Sequence, residues 1–272
     1  MEINSVTNHP PDHITIVIPV LNEKDNITQF LQRIFSLLND PFSSKIREII
    51  IVDDGSTDGT REEIKAVINS KNNISIKLVE RDEKKGTVNA QLHGISLSKY
   101  NGILIMDADL QHPPEYIPEL IKQYYIGYDM IIASRYVKGG RAERNVMNGI
   151  ISRGANLMAR IFLPPVRKVK DPISGYFLVD KRIINLHNEF NGFNKLALSI
   201  LSYNQKISVK EIPFCFKERK FGVSKVSPGG VGFVFKYLRE ILTYRQFYFR
   251  NYMSSHFFQK PGDLTVLERT KL

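Results

Sequence analysis

Five short runs of aliphatic and β-branched residues, each followed by a segment of different periodicity, fill the first half of this 272-residue chain. They are Ile14–Val20, Glu48–Val52, Ile74–Val79, Ile103–Met106 and Met130–Ser134. Each is nearly continuous in apolar character, which is how a strand reads when both of its faces are covered. Between them, Asn26–Leu38 sets Ile27, Phe30, Leu31, Ile34, Leu37 and Leu38 at helical spacing. Ser56–Ser70, Thr87–Ser98 and Pro114–Tyr125 also read as helices. This alternation predicts an α/β fold, a mostly parallel central sheet flanked by helices. Sheets of that kind bind ligands beyond the carboxyl ends of their strands.

Past Ser134 the pattern loosens. Asn145–Phe162 and Asn194–Tyr203 read as helices, Tyr176–Val179 and Val209–Phe216 as strands. No internal repeat or low-complexity linker divides the chain. The expected organisation is a disordered lead-in over 1–12, one domain over 13–227, an amphipathic helix over 228–250 and a mobile tail over 251–272. In Val231–Arg250, a helical wheel gathers Val231, Val234, Phe235, Leu238, Ile241, Leu242 and Phe249 on one face. Lys236, Arg239, Glu240 and Arg250 fall on another, and Arg245 sits among the apolar set, where it would snorkel. A basic, aromatic-rich helix of this kind suits a membrane interface, and its periodicity suits packing on the protein's own core equally well.

Composition excludes several classes. A single cysteine, Cys215, rules out an intramolecular disulfide and argues against a cysteine-based zinc site. No charge-free stretch approaches the roughly 20 apolar residues of a membrane-spanning helix. The opening residues, acidic and polar, do not read as a signal peptide. The location expected is cytoplasmic, peripherally bound to the cytoplasmic face of a membrane. The net charge of +10 calls for an anionic partner. From Lys217 onward there are 11 basic and 4 acidic residues, so the excess is concentrated at the C-terminal end. No nucleic-acid recognition motif accompanies it, and no nucleic-acid partner is expected.

The polar clusters lie where an α/β sheet would place a ligand. Asn22-Glu23 follows the first run, Asp53-Asp54-Gly55 the second, Asp107-Ala108-Asp109 the fourth and Arg135 the fifth. Two carboxylates closing a buried strand demand compensation, because unpaired charge there costs several kcal/mol. A hard divalent cation shared with a substrate diphosphate would supply it, with Gln111 as a further oxygen ligand. Alone, a pair such as Asp107–Asp109 more often marks a capped turn, and Val52–Thr60 alone is equally a capped strand-to-helix turn. His112, before two prolines, reads as a turn residue, and Cys215 as core packing.

Taken together, PVLNE (19–23), VDDGSTDGT (52–60) and DADLQHPPE (107–115) resemble the inverting family 2 nucleotide-sugar glycosyltransferases of GT-A fold. Later segments narrow the likeness. SRYVKGG (134–140), ISRGAN (151–156), DPISGYF (171–177), IPF (212–214), Arg219, Gly222, Ser224 and Lys225 are similar to the dolichyl-phosphate mannosyltransferases. The resemblance covers about residues 14–245. It implies transfer of a hexose, mannose from GDP-mannose or glucose from UDP-glucose, to a polyprenyl phosphate, with Mg²⁺ or Mn²⁺ as cofactor. It implies a metal on Asp107, Asp109 and Gln111. It places the donor nucleotide near Pro19, Leu21, Glu23, Val52, Asp54, Asp107 and Ala108, with Arg219 and Lys225 on its diphosphate. It assigns catalysis to Asp109 and Arg135, and the acceptor phosphate to Arg135, Arg144 and Ser152. Asn148 stands where relatives often carry a basic residue, which turns the acceptor expectation toward Arg144 or Arg153. Lys84–Ala90 replaces a glycine-rich stretch. Many relatives carry C-terminal membrane helices, so either the amphipathic helix or a membrane-anchored partner subunit would bring this chain to its lipid. A family 2 transferase acting on a growing glycan is the alternative; its hydroxyl acceptor would want a general-base carboxylate, and beyond Asp171 no further carboxylate signals one.

Overall fold

A computed structural model describes residues 13–69, 74–82, 86–143, 146–184, 195–204, 206–219 and 231–257. The lead-in over 1–12 lies outside the described residues, as does the chain beyond Phe257. Nine strands are described: β1 (Ile14–Val20), β2 (Ile46–Asp53), β3 (Ser75–Glu80), β4 (Gly102–Ile105), β5 (Met130–Ser134), β6 (Arg141–Ala142), β7 (Phe177–Asp180), β8 (Val209–Pro213) and β9 (Cys215–Phe216). The helices are α1 (Lys24–Leu37), α2 (Thr60–Asn69), α3 (Thr87–Leu97), α4 (Ile117–Ile126), α5 (Val146–Phe162), α6 (Leu196–Tyr203) and α7 (Val231–Phe257).

The main sheet has the order β3-β2-β1-β4-β7-β5-β8, and β6 pairs with β9 alone. All neighbours run parallel except β7, which is antiparallel to both β4 and β5. The expected mostly parallel sheet between helices is present. Its two cores follow from strand alternation. Ile14, Ile16, Ile18 and Val20 of β1 face α1, α2 and α4, while Val17 faces α3 and the later helices. From β1 the chain crosses to β2 on one side and later returns to β4 on the other, so the loops leaving β1 and β4 diverge. That divergence is the switch point at which such sheets hold ligands. Pro19 sits beside it. Pairing of β1 with β4 ends at Val17↔Ile105, and a proline beyond that point has no N–H to extend the ladder.

Several boundaries differ from the sequence reading, each for a local reason. Helix α2 begins at Thr60 instead of Ser56, because Asp58 Oδ1 accepts the Thr60 N–H and Asp53 Oδ1 takes those of Gly55 and Ser56, which holds the preceding loop. Pro114–Tyr116 forms a 3-10 turn before α4. The single strand expected over Val209–Phe216 is broken in two: β8 pairs with β5, β9 with β6, and Phe214 lies between them.

The C-terminal helix extends to Phe257, so residues 251–257 are helical where a tail was expected. The apolar set of the wheel is divided, with Ile241 inward and Phe235, Leu242 and Phe249 outward. Tyr237, Glu240, Ile241 and Tyr244 point inward. The Tyr237 hydroxyl donates to Ala155 O at 3.0 Å, and the Tyr244 hydroxyl donates to Glu240 Oε1 at 2.9 Å and meets the Ser199 hydroxyl. With partners for their polar tips, two tyrosines and a glutamate can be buried. Phe235, Leu242 and Phe249 are left outward, 68%, 52% and 44% exposed. Arg245 lies over the rings of Phe162 and Phe249.

At the end of the sheet opposite the switch point, Glu48 ties three strands together. Fully buried, it accepts from Thr15 Oγ1 on β1 at 2.9 Å, Lys77 Nζ on β3 at 2.7 Å and the backbone N–H of Lys99 at 3.0 Å. Burial pushes its carboxyl up, but these donors outweigh that, and the net shift is below the ordinary value of 4.5. A lowered native pKa adds stability that is complete above the unfolded value and is lost as pH falls through the native one. Glu48→Gln is therefore expected to cost about 1–3 kcal/mol at neutral pH. The difference from wild type should shrink below pH 4.5, as followed by thermal unfolding across pH.

Candidate active site

The loops after β1 and β2 are laced together. Asn22 takes a left-handed φ of 50°, which lets its N–H reach Ser56 Oγ at 2.9 Å while its Oδ1 accepts from Thr57 N at 2.8 Å. Glu23 N–H donates to Thr60 Oγ1 at 2.9 Å. The paired aspartates after β2 divide their work. Asp53 is wholly buried and shapes the loop, also accepting from Arg61 Nε at 2.6 Å. Asp54 accepts the Gly86 N–H at 2.8 Å and lies 3.2 Å from Arg81 Nη1. Pro19, Val52 and Ala108 are buried around them, and Leu21 is half-buried.

The loop after β4 is held by its own histidine. Asp107 N–H donates to His112 Nδ1 at 3.0 Å, so that nitrogen carries no proton in this arrangement. The ring is buried, stacked on Tyr176 and edged by Phe216. Leu110 turns through a φ of 62°, and Gln111 N–H folds back on Asp109 Oδ1 at 3.1 Å. Gly175 comes so close that a Cβ there would stand 3.1 Å from His112 Cε1 and 3.3 Å from Asp107 Oδ2. The Asp107 carboxylate is 37% exposed and that of Asp109 8%.

Arg219 closes the site. Its Nη2 donates to Asp109 Oδ2 at 2.6 Å, and its Nη1 lies 3.9 Å from Glu23 Oε1. The strand end that carries it is fastened to the same loop: Lys217 N–H donates to Gln111 O, and Gln111 Nε2 donates to Lys217 O. A cleft of about 550 Å³ opens alongside, lined by Gln29, Arg33, Leu110, Glu143, Lys217, Glu218 and Arg219. Charge of both signs lines it, with Arg33 paired to Glu115, Lys217 to Glu143 and Arg219 to Asp109.

Arg135 stands apart, in a buried fork with Asp171. Its Nε and Nη2 donate to Oδ2 and Oδ1 at 2.8 and 2.6 Å, and its backbone N–H adds a third bond at 3.0 Å. That pairing raises the guanidinium pKa against the opposing effect of burial. It also occupies Asp171, the carboxylate a hydroxyl acceptor would have needed as base. The next residue, Tyr136, donates its hydroxyl to Ser152 Oγ at 3.0 Å, so Ser152 on α5 joins the Arg135 side of the site. Arg144 and Lys225 lie outside the described residues.

Glu23, Asp54, Asp109 and Arg219 are thus brought to one end of the sheet, with Arg135 and Ser152 on a neighbouring flank. Sequence reading missed Arg81, Arg61 and the role of His112. The first had a signal: Arg81 follows the third apolar run after a single residue, Glu80, at a strand's carboxyl end. The other two depend on loop geometry that no spacing reveals.

Among the described residues no three His, Cys, Asp or Glu side chains gather into a metal cage. The donor set nonetheless fits a hard cation. Asp107 and Asp109 offer carboxylate oxygens and Gln111 an amide oxygen, and a cation such as Mg²⁺ commonly takes one or two carboxylates plus substrate phosphates.

Residues 15–186 match the family model described as Glycosyl transferase family 2. Dolichol-phosphate mannosyltransferase of Pyrococcus furiosus is 38% identical over 231 residues, covering 84% of this chain and 62% of the relative. The chain therefore spans about three fifths of that relative's length. The enzyme of the same name from Saccharomyces cerevisiae is 32% identical, covering 84% of this chain and 85% of its own. Among solved structures, glucosyl-3-phosphoglycerate synthase from Mycobacterium tuberculosis with UDP superposes at a TM-score of 0.61, with 16% identity and coverage of 86% and 80%. That likeness shows the shared GT-A fold, and the same enzyme has been solved with Mn²⁺ and with Mg²⁺. With a family model over more than half its length and relatives of one name at this identity, the chain belongs to glycosyl transferase family 2 and is related to the dolichol-phosphate mannosyltransferases.

Proposed function

We propose that the chain transfers mannose from GDP-mannose to a dolichyl or other polyprenyl phosphate, at the cytoplasmic face of a membrane. The observation that carries this reading is the meeting of Glu23, Asp109 and Arg219 at the β1/β4 switch point, in a chain whose relatives bear that activity in their names. The acceptor phosphate oxygen displaces the nucleoside diphosphate from the anomeric carbon in one step, with inversion. A phosphate is already ionised near neutral pH, so no general base is required, which agrees with Asp171 being committed to Arg135. Positioning and charge neutralisation then lower the barrier.

In this reading Pro19, Leu21, Val52 and Asp54 hold the nucleoside, and Arg219 and Lys225 neutralise its diphosphate. Asp107, Asp109 and Gln111 would hold Mg²⁺ or Mn²⁺, which supplies positive charge beside the leaving group. Arg135, with Arg144 and Ser152, receives the acceptor phosphate. The Asp171 fork leaves the remaining N–H groups of Arg135 for that contact.

The outer surface of α5 and α7 supports the membrane assignment. Of the eight large apolar side chains most exposed among the described residues, six are on these two helices: Ile150, Leu157 and Ile161, with Phe235, Leu242 and Phe249. Their exposed charges, Arg153, Lys236, Arg239 and Arg250, are all basic, and Glu240 is buried. Apolar and basic together suit an anionic lipid surface. No helix among the described residues is long and apolar enough to cross a membrane.

Two outcomes are expected. Purified protein with a polyprenyl phosphate and Mg²⁺ or Mn²⁺ should move radiolabelled sugar from GDP-mannose into the organic phase, and Asp109→Ala should lower the rate about 100-fold or more. Transfer from UDP-glucose instead would assign the glucosyl variant; transfer from neither, with nucleotide bound, would reject both donors. In sedimentation, the protein should bind acidic phospholipid vesicles, and Leu242→Glu with Phe249→Glu should release it. Failure of the wild type to bind would point to a membrane-anchored subunit.

A further inference from the structure

Arg219 presents a conflict that the proposed chemistry must resolve. Its guanidinium donates to Asp109 Oδ2 at 2.6 Å, and Asp109 Oδ1 is already the acceptor for Gln111 N–H. Both oxygens of the more buried aspartate therefore have donors, and the stronger is itself a cation. A divalent ion on Asp109 and a guanidinium on the same oxygen repel each other, and at 8% exposure water screens them poorly. The backbone two residues earlier is tied to the same loop, since Lys217 is bonded in both directions to Gln111, so Arg219 starts from beside the aspartate.

We infer that Arg219 acts as a resident cation on Asp109 and keeps metal off that carboxylate until a diphosphate draws the guanidinium away. The inference rests on the metal reading above. A diphosphate carries more charge than the single carboxylate, and it offers the planar fork a better-matched anion. The Oδ2 it frees is then open to a divalent ion that the same phosphates also ligate. Metal and donor enter together, and metal alone binds weakly. Arg219 is a positioning residue in this step, setting the order in which the site fills. Because the guanidinium has left Asp109 once diphosphate is bound, whatever it subtracts from metal affinity in the empty site reappears as extra strengthening of metal binding by diphosphate, and by linkage metal strengthens diphosphate binding by the same factor.

The test is a titration of Mn²⁺ into the full chain, with free Mn²⁺ followed by electron paramagnetic resonance, with and without GDP. Without nucleotide, Arg219→Gln is expected to bind Mn²⁺ about tenfold tighter than wild type. The strengthening caused by GDP should be smaller in the variant by the same factor. Arg219→Lys, which keeps the charge but loses the fork, should tighten nucleotide-free binding less, and it carries the test should Arg219→Gln not fold. If the wild type binds Mn²⁺ with GDP while the variants show unchanged or weaker nucleotide-free binding, the inference is overturned and the metal reading stands. If no form binds Mn²⁺ even with GDP, both fall.

Discussion

Covering both faces of a parallel sheet leaves nowhere for charge except the strand ends. β1, β2, β4 and β5 are buried along almost their whole lengths, so each must discharge its polar residues on emerging. At the amino ends this produces the Glu48 cluster, which joins three strands and touches no part of the site. At the carboxyl ends it produces Glu23, Asp53, Asp54, Asp107, Asp109 and Arg135. The separation of cohesion from chemistry follows from the sheet itself, and the antiparallel β7 completes it by carrying Gly175 against the loop of Asp107.

The carboxyl-end carboxylates are met by arginines. Asp53 has Arg61, Asp54 has Arg81, Asp109 has Arg219, and Asp171 has Arg135. Guanidinium suits this work because it stays charged at any ordinary pH and meets a carboxylate with two parallel bonds. These pairs differ in what they can do. In the Arg135–Asp171 fork the carboxylate is fully buried and the guanidinium nearly so, and breaking it would strand a buried charge. Arg219 reaches its partner from an open cleft, so exchanging that partner for another anion costs far less.

Much of the sheet was legible in the sequence because burial on both faces writes itself as unbroken aliphatic runs, as in Ile14–Val20. The three motif loops were legible because they end those runs. What escaped was set by tertiary contact. Nothing local tells that Pro213 ends one strand and that Phe214 hands the chain to a second small sheet. The wheel of α7 gathers Phe235 and Leu242 with Ile241 but does not say whether that face meets lipid or core, because hydrophobicity alone suits both. The fold chose Tyr237 and Tyr244, whose hydroxyls find Ala155, Ser199 and Glu240. Likewise His112 looked like an ordinary turn residue until its nitrogen was seen to receive the Asp107 N–H.

The tyrosine-locked seating of α7 also fixes distances. Phe235, Leu242 and Phe249 recur every seven residues, a line about 21 Å long at helical rise. Because inward hydroxyls bolt that helix to α5 and α6, the line cannot roll or tilt independently of the sheet. A lipid surface meeting it would hold the carboxyl ends of the strands at one stand-off height. The helix would then work as a ruler, admitting only those phosphates that the bilayer presents at that depth.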